Sequence, residues 1–90
     1  MFDWDEAKAV KNLQKHGVRF EEAATVFEDA LSVCFADPDH SYAQDRLILV
    51  GYSAQERLLF VSPTQLAQNI CIISVRLATP PERKRHEQHI

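Results

Sequence analysis

Cysteine occurs only at Cys34 and Cys71, each inside a hydrophobic run and far from the other. That spacing excludes the close pairs of metal sites and redox motifs, and buried free thiols are the expectation. No apolar run approaches the roughly 18–20 residues needed to cross a bilayer, and the start, "MFDWDEAK", lacks both a basic n-region and an apolar h-region. A cytoplasmic protein with no membrane role is therefore expected. Repeats, low-complexity tracts and linkers are missing too, and 90 residues suffice for a single domain over 1–90 with one small core. Positive charge is scarce: the net charge of −3 argues against strong non-specific binding to nucleic acid. The deficit is uneven. Residues 1–45 hold ten acids against four bases, and residues 46–90 hold three acids against six bases, so a local basic face remains available.

What is present reads as a small α+β domain. Asp3 followed by Glu6 has the spacing of an N-cap and its reciprocal carboxylate, which predicts a helix over Trp4–His16. At about 100° per residue, Ala7, Val10 and Leu13 turn to one side, while Lys8, Lys11, Asn12 and Lys15 gather on the other. His16 suits the negative end of the helix dipole, and Gly17 suits a left-handed C-terminal cap. Phe20, Ala23, Ala24 and Phe27 repeat as a second, shorter helix with an acidic outer face.

From Leu31 the period becomes two. Leu31, Val33 and Phe35 alternate with Ser32 and Cys34 as in a half-buried strand, and "DPDHSYAQD" then reads as a surface loop. "RLILVGYS" and "RLLFVS" form a hairpin about "AQE". Pro63 cannot donate to a ladder, so it marks an edge or a bulge. "NICIISVRL" is the fourth strand. Thr79-Pro80-Pro81-Glu82 combines a capping Thr, Pro at the first helical position and Glu at the third, which starts a last helix with almost no apolar face. Such a helix either frays or is ordered by a partner. The order ααββββα predicts a four-stranded antiparallel sheet with two N-terminal helices and one C-terminal helix.

"FDWDEAKAVKNLQKHGVRFEEAATVFEDA" closely resembles the amino-terminal signature of the BrnT family of toxins, and "DPDHS", "RLILVGYS" and "IISVRLATPPERKRHE" continue the likeness in order. The most specific part is the run from Trp4 through Ala23, where the family's pattern is met at Lys8, Asn12 and Lys15 to Ala23. The resemblance implies a RelE-like fold and a ribonuclease of a type II toxin–antitoxin pair that inhibits translation. It also implies a BrnA-like antitoxin of ribbon-helix-helix type. That partner would mask the toxin in a heterotetramer and supply DNA binding for autoregulation. The chain departs from the family pattern at Gln65, Leu66, Cys71 and Leu77, where charged residues are usual. An alternative is thus a catalytically degenerate homologue that still binds its antitoxin.

RNA carries its own nucleophile, so cleavage needs no cofactor and no metal. It needs a group to accept the 2′-hydroxyl proton, cations for the extra negative charge of the transition state, and an acid for the departing 5′ oxygen; a 2′,3′-cyclic phosphate results. Arg76 is the candidate transition-state cation, because a guanidinium is always charged and grips two oxygens at once; the alternative is an ion pair with an acid of the second helix. Lys8 and Lys15 join it as catalytic candidates, or else form an ordinary solvated helix face. His16 suits proton transfer as a residue type that titrates near neutrality, or simply bonds the last helix carbonyls. Asn12, Thr64, Ser74, Arg83, Lys84 and Arg85 are the candidate RNA contacts; for the last three the alternatives are pairing with acids on an antitoxin or a solvated tail. Asp37, Asp39 and His40, or His86 and His89, lack a full ligand set for a metal. Tyr42 and Tyr52 make a weak stacking pair, and Tyr52 fits better in the core.

Overall fold

A computed structural model describes residues 2–36, 47–66 and 68–88. The elements run β1 (Phe2–Asp3), α1 (Glu6–His16), α2 (Phe20–Thr25), a single 3-10 turn (Val26–Glu28), β2 (Val33–Ala36), β3 (Leu47–Tyr52), β4 (Leu58–Leu66), β5 (Asn69–Leu77) and α3 (Pro80–Gln88). The class is α+β as expected, but the sheet is five-stranded and mixed, in the order β1-β5-β4-β3-β2, not four-stranded and antiparallel. The additional strand is β1, which pairs parallel to β5 through Phe2–Ile70 and Asp3–Cys71. The remaining pairs are antiparallel.

Recruiting Phe2 and Asp3 to the sheet moves the start of the first helix. Asp5, not Asp3, is the N-cap, accepting from the backbone N–H of Ala7 and Lys8. Gly17 takes the left-handed conformation at the other end, with its N–H on Leu13 O. Of the expected inward stripe Ala7, Val10 and Leu13, only Leu13 turns inward. Val10 is 54 % exposed, whereas Asn12 is only 7 % exposed. The stripe runs through Ala9, Asn12, Leu13 and His16, which keeps helical spacing but contains a carboxamide. Asn12 therefore does not share an outer edge with Lys8, Lys11 and Lys15, and that expectation is corrected.

Asn12 sits inside because β5 leaves a gap. β1 covers β5 only at Ile70 and Cys71, so farther along the strand the N–H and C=O of Val75 face away from β4 with no strand beside them. Asn12 Nδ2 donates to Val75 O (2.9 Å) and Val75 N donates to Asn12 Oδ1 (3.1 Å), as an adjacent strand would. The second Nδ2 hydrogen goes to Val18 O at 3.0 Å.

One face of the sheet carries the core. Leu49, Leu59, Val61, Ile72 and Val75 meet Val18, Phe20, Ala23 and Val26, with Trp4, Ala9 and Phe27 packed against them. The hairpin turn at Ser53–Arg57 is tied to α2 by buried Glu22. Ser53 Oγ (2.7 Å) and Arg57 Nε (2.9 Å) donate to one carboxylate oxygen, and Arg57 Nη2 to the other. The Arg57 hydrogen bonds hold the Glu22 carboxyl below its ordinary value despite its burial.

Pro63 lies in an interior strand, and the register shifts there: Ser62 faces Ser74 while Pro63 faces Ile72, a bulge that absorbs the missing donor. β2 is an edge strand exposed along its whole length, not half-buried as the alternation suggested. Both thiols are free, but Cys34 is exposed and Cys71 half-buried, contrary to the expectation of two buried cysteines. Among the described residues no helix is long and apolar enough to span a membrane.

Candidate active site

Side chains alternate along a strand, so the residues between the core positions form the opposite face. There, register partners draw one row across four strands: Val33, Val50, Phe60 and Arg76. Helix α3 lies over part of this face. Its Glu82, Arg85 and His86 wall a groove of about 250 Å³ whose other sides are Val33, Phe35, Val50 and Phe60.

Arg76 is held in a fixed pose. Its guanidinium carbon stands 4.4 Å over the centroid of the Phe60 ring. Nη1 donates to Glu82 Oε1 (2.8 Å) and to Leu77 O (3.2 Å), and Nη2 donates to Glu82 Oε2 (2.9 Å). The hydrogen of Nε and the second hydrogen of Nη2 have no partner among the described residues. An anion approaching the guanidinium from that side meets two donors.

The acid that pairs with Arg76 is thus on the last helix, not the second. Glu82 is also the third residue of the expected capping box: Thr79 N donates to Glu82 Oε1 (2.8 Å) and Glu82 N donates to Thr79 Oγ1 (3.3 Å). The Arg76 hydrogen bonds, helped by the one from Thr79, hold the Glu82 carboxyl down at about 2. The same pairing raises the pKa of Arg76 and keeps it charged.

His86 is the inward residue of α3, only 8 % exposed, and its Nε2 has no hydrogen-bond partner among the described residues. Its ring meets Tyr52 edge-on at 5.9 Å. Tyr52 is half-buried and donates its hydroxyl to Glu87 Oε1 (3.1 Å); burial first, and that hydrogen bond second, push its pKa up. A helix with almost no apolar surface is thus docked by a cap, an ion pair and one buried imidazole.

The other expected site residues divide into groups. Arg83, Lys84 and Arg85 are exposed on α3, and Ser74, two residues from Arg76 on the same strand, shares its face. Thr64 lines a separate depression with Phe27 and Cys34. Lys8 and Lys15 are exposed on α1 and His16 is half-buried at its end. Among the described residues no hydrogen bond or ion pair links these three to Arg76. Arg57 stands between the two regions: it reaches Gly17 O at 3.4 Å and lines a second hollow, of about 280 Å³, with Tyr52 and Arg83. Asn12 has both Nδ2 hydrogens and its oxygen engaged inside the protein and offers nothing to a phosphate. Asp37, Asp39, His40, Tyr42 and His89, and the side chains of Gln65 and Leu66, lie outside the described residues.

In the sequence Phe60 reads only as a strand residue, Glu82 only as a cap and His86 only as half of an incomplete metal pair with His89. The capping box and the i, i+4 spacing of Glu82 and His86 were signals that both face the sheet, once a strand carrying Arg76 is placed beneath them.

The family model for BrnT, the ribonuclease toxin of a type II toxin–antitoxin system, matches residues 4–82. Comparison with curated proteins gave no match. The crystal structure of the Brucella abortus ribonuclease toxin BrnT superposes with a TM-score of 0.69 at 24 % sequence identity, covering 88 % of this chain and 97 % of that one. That structural likeness speaks for the fold, and the family match spans most of the sequence. The chain belongs to the BrnT family of ribonuclease toxins of type II toxin–antitoxin systems.

Proposed function

We propose that the chain cleaves RNA without a metal, at the sheet face where Arg76 meets α3. The observation that carries this is the pose of Arg76, fixed by Phe60 and Glu82 and left with two adjacent N–H donors for a phosphate. A preorganised cation of this kind stabilises the charge that grows on the non-bridging oxygens as the 2′-oxygen attacks. Arg83, Lys84, Arg85 and Ser74 bind the flanking backbone. Lys8 and Lys15 extend the contact along α1, and His16 accepts the 2′-hydroxyl proton and returns it to the departing 5′ oxygen. The fold, with helices on one sheet face and α3 over the other, suits the RelE-like class.

A cytoplasmic antitoxin of ribbon-helix-helix type neutralises the toxin in a heterotetramer, and DNA is met only through that partner. The test is direct. Antitoxin-free protein should cut RNA in the presence of EDTA and leave 2′,3′-cyclic phosphate ends; intact RNA at a large molar excess of protein would refute it.

One observation favours a second reading. Glu82 neutralises Arg76 by two hydrogen bonds, as befits a structural ion pair, and the family's charges are missing at Cys71 and Leu77. In that reading the chain is a degenerate toxin that binds its antitoxin in transcriptional autoregulation. It would be tolerated when expressed alone and would still co-purify with the neighbouring gene product.

A further inference from the structure

We infer that the groove between α3 and the outer sheet face is a subsite for one nucleobase of single-stranded RNA, with His86 reading the edge of the base. The inference rests on the ribonuclease function proposed above and adds what part of the substrate that face recognises.

Four observations converge. At about 250 Å³ the groove falls just short of the roughly 300–1,000 Å³ of sites for drug-sized ligands. It is sized for one planar ring system, not for a helix or a strand. Its walls are Val50 and Phe60 inside, with Phe35 (40 % exposed) and Val33 (46 % exposed) at the mouth. These are apolar and aromatic surfaces of the kind on which unpaired bases stack.

The third observation is His86. A buried polar atom without a partner is rare in folded proteins and marks a place where something else supplies the bond. Among the described residues Nε2 is such an atom, on a residue that lines the groove and is more than nine-tenths buried. Nε2 itself has almost no accessible surface, so the polar edge of a base completes it once the imidazole turns toward the groove.

The fourth is register. Phe60 forms the groove wall and pairs with Arg76 across the strands. A base seated against Phe60 therefore has its own phosphate beside the guanidinium, while Arg85 on the rim faces the neighbouring phosphate. Base pocket and transition-state cation are adjacent because they occupy adjacent positions of one cross-strand row.

Fluorescence anisotropy with labelled 2′-O-methyl trinucleotides tests this, since methylation removes the nucleophile and the probe survives. Four trinucleotides differ only in the central base and a fifth has no base there. The wild-type chain should bind its preferred base roughly tenfold tighter than the abasic probe, in the range of one stacked base. His86→Phe keeps a ring against Tyr52 but should bring that preference to within about twofold of the abasic probe. Phe35→Ala, at a partly exposed edge position that does not endanger folding, should weaken the preferred probe about threefold or more.

Equal affinity for all five probes, or a base preference that survives both substitutions, overturns the subsite. If no probe binds even at low ionic strength, the ribonuclease function fails and the subsite with it. Salt-dependent binding without base preference removes the subsite alone. If the substitutions weaken capture of the antitoxin and leave the probes unaffected, the groove is a protein-docking surface and the inference is wrong.

Discussion

Asn12 and Val75 exchange two hydrogen bonds across 63 positions of sequence, and by doing so a helix residue takes the place of a neighbouring strand. Removing the carboxamide would leave Val75 N, Val75 O and Val18 O unpaired in a buried place. Asn12→Ala is expected to cost about 3 kcal/mol, at roughly 1 kcal/mol per orphaned group, a large part of the total for a small domain. Urea unfolding measures it. A loss of less than about 1 kcal/mol would mean that water reaches β5 and Asn12 is not what closes it.

The Arg76–Glu82 pair predicts a pH window. Glu82 is held at about 2, below the ordinary carboxyl value of 4.5, so the folded state binds its proton less readily than the unfolded chain does. The pair's stabilisation is therefore complete above pH 4.5 and is lost as pH falls toward 2. Because Arg76 is partly exposed, the effect is on the order of 1 kcal/mol. In Glu82→Gln the acid loss of helix followed by circular dichroism should be shallower than in the wild type. Identical acid profiles would deny Glu82 this role; Glu22, also lowered, accounts for the slope that remains.

Arg76→Lys tests geometry apart from charge. Lysine keeps the cation but cannot offer two parallel donors while bonded to Glu82. Cleavage is expected to fall by about 10²-fold or more, as for other preorganised transition-state donors, with a thermal midpoint lowered only slightly. Undiminished cleavage by the lysine variant would remove Arg76 from the chemistry.

Gly51 permits the close approach of β3 to the segment before β2. A Cβ there would lie 2.8 Å from Ser32 Cβ and 3.0 Å from both Asp29 Oδ2 and Val26 Cγ1. Asp29 Oδ2 also accepts from Tyr52 N at 2.8 Å, so the clash would disturb a hydrogen bond as well as packing. Gly51→Ala is expected to destabilise by about 1–3 kcal/mol, visible as a lower midpoint in thermal unfolding. An unchanged midpoint would show that this segment yields freely.

Most elements were legible because they follow local rules. The capping box at Thr79 and Glu82, the left-handed Gly17 and the irregularity at Pro63 each arise from a few neighbouring residues. The phase of α1 was not legible. Helical spacing groups Asn12 with Lys8, Lys11 and Lys15, and only the three-dimensional gap beside Val75 turns it inward. β1 was missed since two residues carry no period. The site was half legible: Arg76 and the basic run of α3 stand out by charge, while Glu82 and His86 gain meaning only when α3 folds across β3 and β4. Chemical type alone says little about Lys8, Lys15 and His16, because it does not fix which way α1 turns.

Glu82 performs three tasks with a single carboxylate: it closes the first turn of α3, aims Arg76 and walls the groove. Evolution therefore cannot adjust one of them alone. A lineage that traded this glutamate would loosen its C-terminal helix, misalign its principal cation and reshape the adjoining hollow in one mutational step, so harmless drift at this codon is closed off unless a compensating change arrives with it.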